Sequence, residues 1–183
     1  MANTLSGNGS LSGSGTLETP LAIGSVGPGG GIIFYDAGST LSWGRYMEVA
    51  TASTSPTWTD STPGWSGNTN TLVGGTSSAI GSGYDNTLLA VAQNSTAGKA
   101  ITICRAYTGG GKTDWFLPSS GEYGALYPVK SLSGVNMASG SYMSSNESSA
   151  TQITAISFST GNGVPVSKSN ANGFFYIRAI RYV

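Results

Sequence analysis

The 183-residue sequence contains no histidine and a single cysteine, Cys104. Histidine is the commonest general base, so its absence excludes a Ser-His-Asp triad. One cysteine without histidine also excludes the usual zinc sites, and it cannot form an intrachain disulfide. Cys104 lies in the apolar run AITICRAY, which predicts a small buried side chain in preference to a reactive thiol.

Charge is also scarce, because charged residues make up 9% of the chain against a usual share of about 25%. Eight basic and eight acidic residues give a formal net charge of +0. Binding to nucleic acid requires clustered cations, and the basic residues here are scattered along the chain. We therefore expect no nucleic-acid partner. The 28 glycines, together with abundant Ser, Thr and Asn, are typical of extracellular or virion β-proteins with many turns.

The few carboxylates form no pattern that suggests a catalytic or metal site. A calcium site needs several carboxylates together, and only the short stretches YDN and SNES are suggestive. Asp114 and Glu122 are the best pair for a glycosidase. However, Asp114 precedes a predicted strand, and Glu122 is already used as a helix cap. The sequence therefore predicts no catalytic residue, no bound metal and no cofactor.

No apolar run approaches the roughly 18 residues of a membrane span, and MANTLSGNGS does not resemble a signal peptide. We expect export by another route, release inside a virus particle, or a natural start that this sequence lacks. Residues 1–22 are rich in Gly and Ser, which is typical of a flexible linker. The even spacing of Leu5, Leu11 and Leu17 favours instead an attachment or oligomerisation tail that docks on a partner.

Strands and turns dominate the rest of the chain. GIIFYD and RYMEVAT predict the first two strands, and GPGGG precedes a strand instead of opening a helix, so it is not a phosphate loop. Residues 53–83 form a long irregular insertion, which we expect Trp58 and Trp65 to pin. The C-terminal FFYIRAIRYV predicts one central strand with one face formed by Phe175, Ile177, Ala179 and Arg181.

Residues 84–107 predict two helices. Asp85 or Asn86 is expected to cap the first helix, and one of the residues 94–96 the second. DWFLP then predicts a short strand with a buried Trp-Phe-Leu core, preceded by an Asp114 that bonds turn amides. Ser119 and Glu122 match the capping box that opens a third helix.

Several blocks, in order, carry a family resemblance: GPGGGIIFYDAG, WGRYMEVA, IGSGYDNT, AGKAITICRAYTGGGKTDWFLPSSGEYGALY, YMSSNE and IRAIR. Together they resemble the Lcl C-terminal-like domains of bacterial collagen-like adhesins and of phage and bacterial surface proteins. The resemblance spans about Ile23 to Val183. It implies a C-type-lectin-like α+β fold, with short helices packed on a twisted, mainly antiparallel sheet and with long irregular loops. It also implies adhesion or recognition without catalysis, and trimerisation through the segment before the domain.

The sequence departs from the family pattern at several points. Met143 stands where the family's YWSSxE block has Trp, and Ser120 and Gly121 stand where charged residues are usual. Eight basic residues make a poor cationic surface for sulfated glycans. The Glu-Pro-Asn, Gln-Pro-Asp and Trp-Asn-Asp runs of calcium-dependent sugar binding are missing, so that type of lectin activity is not expected.

In C-type-lectin-like folds, ligands usually meet the loops that lead into the last strands, which here means residues 142–172. This stretch is dense in Ser, Asn and Gly and suits adaptable hydrogen bonding at a contact surface, although the same residues also suit a plain soluble surface with many turns. The predicted ligand-binding residues are Tyr142, Ser144, Asn146, Glu147, Lys168, Asn170 and Asn172.

These observations predict a tail over residues 1–22 and a C-type-lectin-like domain over residues 23–183. We expect a non-enzymatic phage virion protein, a fibre or capsid decoration located on the virion surface. Its tail would attach to other virion or surface proteins, and its domain would recognise a cell-surface glycan or protein as part of a homo-oligomer, with a trimer favoured. The alternative is a secreted or surface bacterial adhesin domain located outside the cell.

Overall fold

Two small β-sheets form the framework of the computed structural model, which describes residues 20–51, 64–169 and 175–183. The strands are β1 (Ile32–Leu41), β2 (Gly44–Val49), β3 (Ser141–Glu147), β4 (Gln152–Ser157), β5 (Gly163–Ser167), β6 (Phe175–Tyr176) and β7 (Ile180–Tyr182). Sheet A is antiparallel and has three strands in the order β1, β2, β7. Sheet B has four strands in the order β5, β4, β3, β6, and only its β3–β6 pair is parallel.

Short helices complete a mixed α+β architecture, which confirms the expected fold class at this level. They are α1 (Gly83–Gln93), α2 (Ala100–Ala106) and α3 (Ser120–Leu126), with 3₁₀ turns at Gly109–Gly111 and Tyr127–Val129. Over the described ranges, none of these helices has the length and apolar character needed to cross a membrane.

The first two strands lie where the sequence predicts them and form a hairpin with two register shifts. The glycine-rich turn before β1 folds tightly against the sheet. A Cβ atom on Gly31 would lie 2.5 Å from the carbonyl oxygen of Val49, so only glycine fits at this position. The GPGGG stretch therefore serves close backbone packing.

Helix α1 begins at Gly83, two residues before the predicted cap at Asp85 or three before Asn86. Its N-cap residue, Ser82, makes no side-chain capping bond. Instead, the buried carboxylate of Glu122 accepts a hydrogen bond from the backbone N–H of Gly83. The start of α1 was predicted wrongly because its hydrogen-bond partner is a side chain far along the sequence, which a local capping pattern does not include.

Helix α2, by contrast, begins later than predicted. It starts at Ala100 after Lys99, and the hydroxyl of Thr102 accepts a hydrogen bond from the Lys99 N–H at 3.0 Å. The predicted caps at residues 94–96 lie in the preceding turn, where Asn94 Oδ1 accepts from the Thr96 N–H. The Asn side chain thus stabilises a turn instead of a helix.

Helix α3 confirms the predicted capping box. Ser119 Oγ accepts from the N–H of Glu122 at 3.2 Å, and Glu122 Oε2 accepts from the N–H of Ser119 at 2.7 Å. The helix ends at Leu126, and Pro128 sits in the 3₁₀ turn that follows. This start was predictable because both partners lie within four residues of each other.

The prediction of one central C-terminal strand is wrong. The segment divides into β6, which pairs in sheet B, and β7, which pairs at the edge of sheet A. Between them, the buried Arg178 donates hydrogen bonds from Nη1 to the carbonyl oxygens of Ala50 and Val135, at 3.0 and 2.9 Å. This anchor turns the chain from one sheet to the other, and strand alternation alone does not reveal it.

The predicted DWFLP strand is reduced to one bridge between Phe116 and Ile180, joined by two backbone hydrogen bonds of 2.9 and 3.0 Å. Its side chains nevertheless confirm the predicted core, because Trp115, Phe116 and Leu117 are all fully buried. Cys104 is also buried, as predicted, and burial raises the pKa of its thiol.

Two apolar clusters cover both faces of sheet B. The first lies between sheet B and helices α1 and α2, and the second lies between the two sheets and α3. Met143 belongs to the first cluster and its neighbour Tyr142 to the second, which shows that β3 is buried on both sides. The strand that carries most of the predicted ligand-binding residues is therefore central to the core.

Candidate functional site

Four predicted ligand-binding residues, Tyr142, Ser144, Asn146 and Glu147, lie on β3, and Lys168 follows β5. The structure joins Glu147 directly to Lys168 in an ion pair. Asn170 and Asn172 lie outside the described residues, as do the predicted attachment residues Leu5, Leu11 and Leu17.

The ion pair between Lys168 and Glu147 is buried. The side chain of Lys168 has 0% of its surface exposed and that of Glu147 has 4%. Lys168 Nζ donates to Glu147 Oε1 and to the carbonyl oxygen of Thr71, the latter at 2.9 Å. It also lies 5.2 Å from the ring centre of Trp65, a favourable distance for a cation–π contact. All of these partners belong to the protein itself.

Glu147 also holds the backbone of the irregular stretch over residues 64–82, called here the 64–82 loop. Glu147 Oε1 accepts from the N–H of Val73 at 2.8 Å, and Oε2 accepts from the N–H of Gly74 at 3.1 Å. Its own N–H donates to Thr76 Oγ1 at 3.1 Å. One buried carboxylate and its backbone thus fix three positions of the loop.

Helix α1 holds the same loop from a second side. Asn86 Oδ1 accepts from the N–H of Ser77 at 2.8 Å, and Asn86 Nδ2 donates to the Ser77 carbonyl oxygen at 2.7 Å. Gln93 Nε2 donates to the carbonyl oxygen of Leu72 at 2.7 Å. These bonds satisfy backbone groups that regular secondary structure would otherwise pair.

Trp65 confirms the predicted pinning of the irregular insertion at its described end. Its ring is fully buried, and Nε1 donates to the carbonyl oxygen of Ser144 at 2.9 Å. Its backbone N–H donates to the Lys168 carbonyl oxygen at 2.7 Å. Trp58, the other predicted anchor, lies outside the described residues.

Glu122 tethers the far end of the loop. Besides capping α3, its Oε1 accepts from the N–H groups of Gly81 and Gly83, at 3.0 and 3.2 Å, and from the hydroxyl of Tyr182. Burial raises the pKa of Glu122, while the hydrogen bonds from these donors oppose that rise. A buried carboxyl with a raised pKa can act as a general acid. Here, however, both oxygens are occupied by protein donors and the side chain is inaccessible.

The remaining predicted residues on β3 also have structural partners. The hydroxyl of Tyr142 accepts from the N–H of Ala138 at 3.1 Å, and its ring meets Phe158 edge-on with 4.7 Å between ring centres. Burial raises the pKa of Tyr142. The residue fills the second apolar cluster and leaves 2% of its surface exposed.

Asn146 and Ser144 link β3 to the start of α3 and to β4. Asn146 Oδ1 accepts from the N–H of Ser120 at 2.8 Å. Ser144 Oγ lies 2.9 Å from that same Oδ1 and 2.5 Å from the carbonyl oxygen of Thr154. Burial of these side chains leaves them no surface for a ligand, while ligand binding at this end of the domain stays a prediction.

The predicted bonds from Asp114 to turn amides are not found, because Asp114 pairs with Arg181 instead. Arg181 donates from Nε and Nη2 to the two carboxylate oxygens, both at 2.8 Å, and from Nη1 to the buried Glu48 at 2.6 Å. The guanidinium holds the pKa of Asp114 below its usual range. Glu48 Oε1 also accepts from the N–H of Gly29 at 2.8 Å, so this cluster fixes the glycine-rich turn.

A common arrangement follows from these contacts. The three buried glutamates, Glu48, Glu122 and Glu147, each accept hydrogen bonds from backbone N–H groups of glycine-containing loops. Several of the few charged side chains are therefore buried. Their carboxylates pair with backbone N–H groups of loops, which regular secondary structure does not pair. In the sequence, Glu122 belongs to the best carboxylate pair for a glycosidase and Glu147 is a predicted ligand-binding residue, whereas Glu48 was assigned no role.

Several of the exposed apolar side chains lie in or beside the 64–82 loop. Leu72 at the loop surface is 54% exposed, and Leu88 and Leu89 on α1 are exposed as well. Leu89 lies 3.5 Å from the position of a Cβ on Gly75, and Gln93, one turn further along α1, binds the loop at Leu72. Sequence reasoning missed this surface, although an isolated Leu in the polar stretch NTNTLVGG is a signal for it.

Over the described parts of the chain, no three His, Cys, Asp or Glu side chains lie close enough to hold a metal ion. A comparison with protein-family models finds no match, and a comparison with curated proteins finds none that is similar to this chain.

Proposed function

We propose that this chain is a non-enzymatic phage virion protein, a fibre or capsid decoration, which presents a recognition surface on a C-type-lectin-like domain. The observation that carries the proposal is the support of the 64–82 loop by buried side chains from β3, the residue after β5, and α1. A long irregular loop held this firmly is typical of a preorganised contact surface on a rigid scaffold.

Preorganisation favours binding because the loop loses little conformational entropy when a partner docks. Thr71 and Gly74 are held by the Lys168–Glu147 pair, while Leu72 between them projects to the surface. An exposed leucine that follows the polar residues Asn70 and Thr71 gives a small apolar centre beside hydrogen-bonding groups. The proposed ligand is therefore an uncharged glycan or a protein surface.

The finer assignment of the fold rests on several features. The described chain has short helices, two small and mainly antiparallel sheets, and a long loop over residues 64–82. Strand β2 pairs with both β1 and β7, so the first and last described strands meet in one sheet. These features support a C-type-lectin-like architecture, and the sequence blocks named above support the same assignment.

Recognition is tested by changing the exposed leucines and leaving the supporting pair intact. Leu72→Asp and Leu89→Asp are expected to weaken binding to a neutral-glycan array or to a panel of bacterial cells at least tenfold. The matched control is Leu41→Asp, which alters a leucine that is 46% exposed at the end of β1. Thermal unfolding should show the same melting temperature in all three variants. Equal binding by the loop variants and the control would exclude this surface.

The alternative is a secreted or surface bacterial adhesin domain. The two functions share the recognition surface but differ in what the N-terminal residues attach to. A mature phage particle that carries the chain at fixed stoichiometry supports the virion assignment, and recovery from a bacterial surface alone supports the adhesin. Deleting Met1 to Ser14 should abolish incorporation into the particle, and unchanged incorporation would remove the anchoring role.

A further inference from the structure

A groove of about 760 Å³ lies beside the first described residues, against β2 of sheet A. Met47 and Val49 of this strand face the second apolar cluster, while Tyr46 alternates with them and lines the groove. The groove therefore lies on the face of sheet A opposite the core. Its apolar lining consists of Pro20, Leu21, Val26, Pro28, Tyr46 and Val183.

The described side chains that line the groove offer no unpaired charge to an occupant. Among them, Arg45 is the one that is charged, and it is paired with Asp36 through hydrogen bonds of 2.8 and 3.0 Å. The guanidinium also lies over the ring of Tyr46, with 4.9 Å between Cζ and the ring centre. Val26 leaves 67% of its surface exposed at this groove. An occupant that offers apolar side chains is complementary to this lining.

The chain itself supplies such a segment at this position. Pro20 and Leu21 line the groove, so residues 1–19 join the described structure at its wall. Their sequence is MANTLSGNGSLSGSGTLET, in which Glu18 is the one charged side chain and the leucines are the large aliphatic ones. Leu17 precedes Pro20 by three positions, which places it within about 10 Å of the groove wall at full extension.

We propose that this groove binds the N-terminal segment of its own chain, with the side chain of Leu17 as the first contact. A tethered segment has an effective concentration in the millimolar range, so it outcompetes the same segment of a second copy at ordinary protein concentrations. The buried hydroxyl of Tyr46 has no hydrogen-bond partner among the described residues. Carbonyl or hydroxyl oxygens of this Ser- and Thr-containing segment would supply the partner it lacks. The inference goes beyond the proposed recognition function and does not depend on the 64–82 loop.

Disulfide trapping in the full-length chain tests the proposal. Thr40 lines the groove and is exposed, so the double variant Leu17→Cys/Thr40→Cys places one thiol on the segment and one at the groove. Cys104 is fully buried and its thiol pKa is raised, so it does not compete. Mild oxidation should yield an internally cross-linked monomer at least tenfold faster than in Leu17→Cys/Ala97→Cys, in which the second thiol lies before α2, outside the groove.

A charged side chain introduced at the groove should slow the cross-linking between the segment and the groove. Val26→Asp added to the Leu17→Cys/Thr40→Cys pair is expected to slow cross-linking at least tenfold, whereas Leu72→Asp in the same background should leave the rate unchanged. Both altered residues are exposed, so melting temperatures should stay the same and confirm that the variants fold. Equal rates for the groove pair and the Ala97 pair would overturn the proposal. Cross-linked dimers in place of monomers would also overturn it, because they would identify a second copy as the occupant.

Discussion

The buried ammonium group of Lys168 connects parts of the chain that are far apart in sequence. Its side chain is inaccessible to water and joins Glu147, the carbonyl oxygen of Thr71 and the ring of Trp65. Glu147 lies on β3, whereas Thr71 and Trp65 both belong to the 64–82 loop, so one ammonium group links β3, the loop and the end of β5. Removing it would leave the Glu147 carboxylate buried without its counter-charge.

Lys168→Met tests this role at the residue scale. Loss of one partner of a buried ion pair typically costs about 3–5 kcal/mol, and we expect a fall of that size in the free energy of unfolding at pH 7. Urea denaturation followed by tryptophan fluorescence measures it. Lys112→Met, which alters a lysine outside this network, is the control and should stay within about 0.5 kcal/mol of wild type. A Lys168→Met variant as stable as the control would show that the pair has no structural role.

Helix α3 shows how an element depends on its surroundings. It contains two glycines, and helix propensity treats them alike. The structure separates them. A Cβ on Gly121 would lie 2.4 Å from the carbonyl oxygen of Ser78, which accepts a hydrogen bond from the Gly121 N–H, whereas a Cβ on Gly124 would meet no atom within 4 Å. Gly121 is required for the 64–82 loop to pack against the helix, and Gly124 is not required for packing.

The alanine variants of the two α3 glycines should therefore change the free energy of unfolding in opposite directions. Gly124→Ala is expected to stabilise the protein by about 0.5–1 kcal/mol, because alanine lowers the entropy cost of helix formation. Gly121→Ala is expected to destabilise it by about 1–3 kcal/mol through the clash with the loop. Calorimetric melting temperatures should rise by about 1–4 °C in the first variant and fall in the second. Changes of the same sign would contradict the packing described for Gly121.

At the scale of the whole molecule, the carboxyl groups respond to pH in two directions. Asp36 and Asp114 have pKa values below their usual range, mainly because of hydrogen bonds from Arg45 and Arg181. An aspartate of this kind stabilises the fold above its ordinary pKa near 4, and that stabilisation is lost as the pH falls through the lower folded-state value. Burial raises the pKa of Glu122, so its protonated form is favoured in the folded state. Its contribution is present at low pH and declines as the pH rises above its ordinary pKa.

Acid unfolding tests the Asp114–Arg181 pair. The melting temperature of the wild type should fall as the pH drops below the ordinary aspartate pKa of about 4, because the paired aspartates then become protonated. Asp114→Asn should melt lower than wild type at pH 7 and should lose less on acidification, because the variant has one fewer carboxylate to protonate. Thermal unfolding measured across this range gives both slopes. Parallel curves for the two proteins would show that the pair does not contribute to acid sensitivity.

Local patterns predicted the local features. The capping box of Ser119 and Glu122, the first two strands and the burial of Trp115 all follow from residues within a few positions of each other. The start of α1 and the division of the last ten residues between two sheets were predicted wrongly. Both depend on partners far along the chain, since Glu122 binds the start of α1 and Arg178 binds Ala50.

The candidate site shows the same division. From the sequence, Glu147 and Lys168 were predicted to bind a ligand. The structure joins them in a buried ion pair that holds the backbone of the 64–82 loop. The exposed Leu72 and Leu89 were not identified as a surface, because exposure of a leucine depends on what the rest of the fold packs against it.

By itself, the sequence determined the presence of both helices and strands, the absence of histidine chemistry and the scarcity of charge. These properties depend on composition and on spacings of two to four residues, which any conformation of the chain retains. Tertiary structure alone decided that the buried glutamates hold loop backbones and that Arg178 directs the chain between the sheets. It did so because burial transfers a polar group out of water, and the hydrogen-bond partners that the group then needs come from distant parts of the chain.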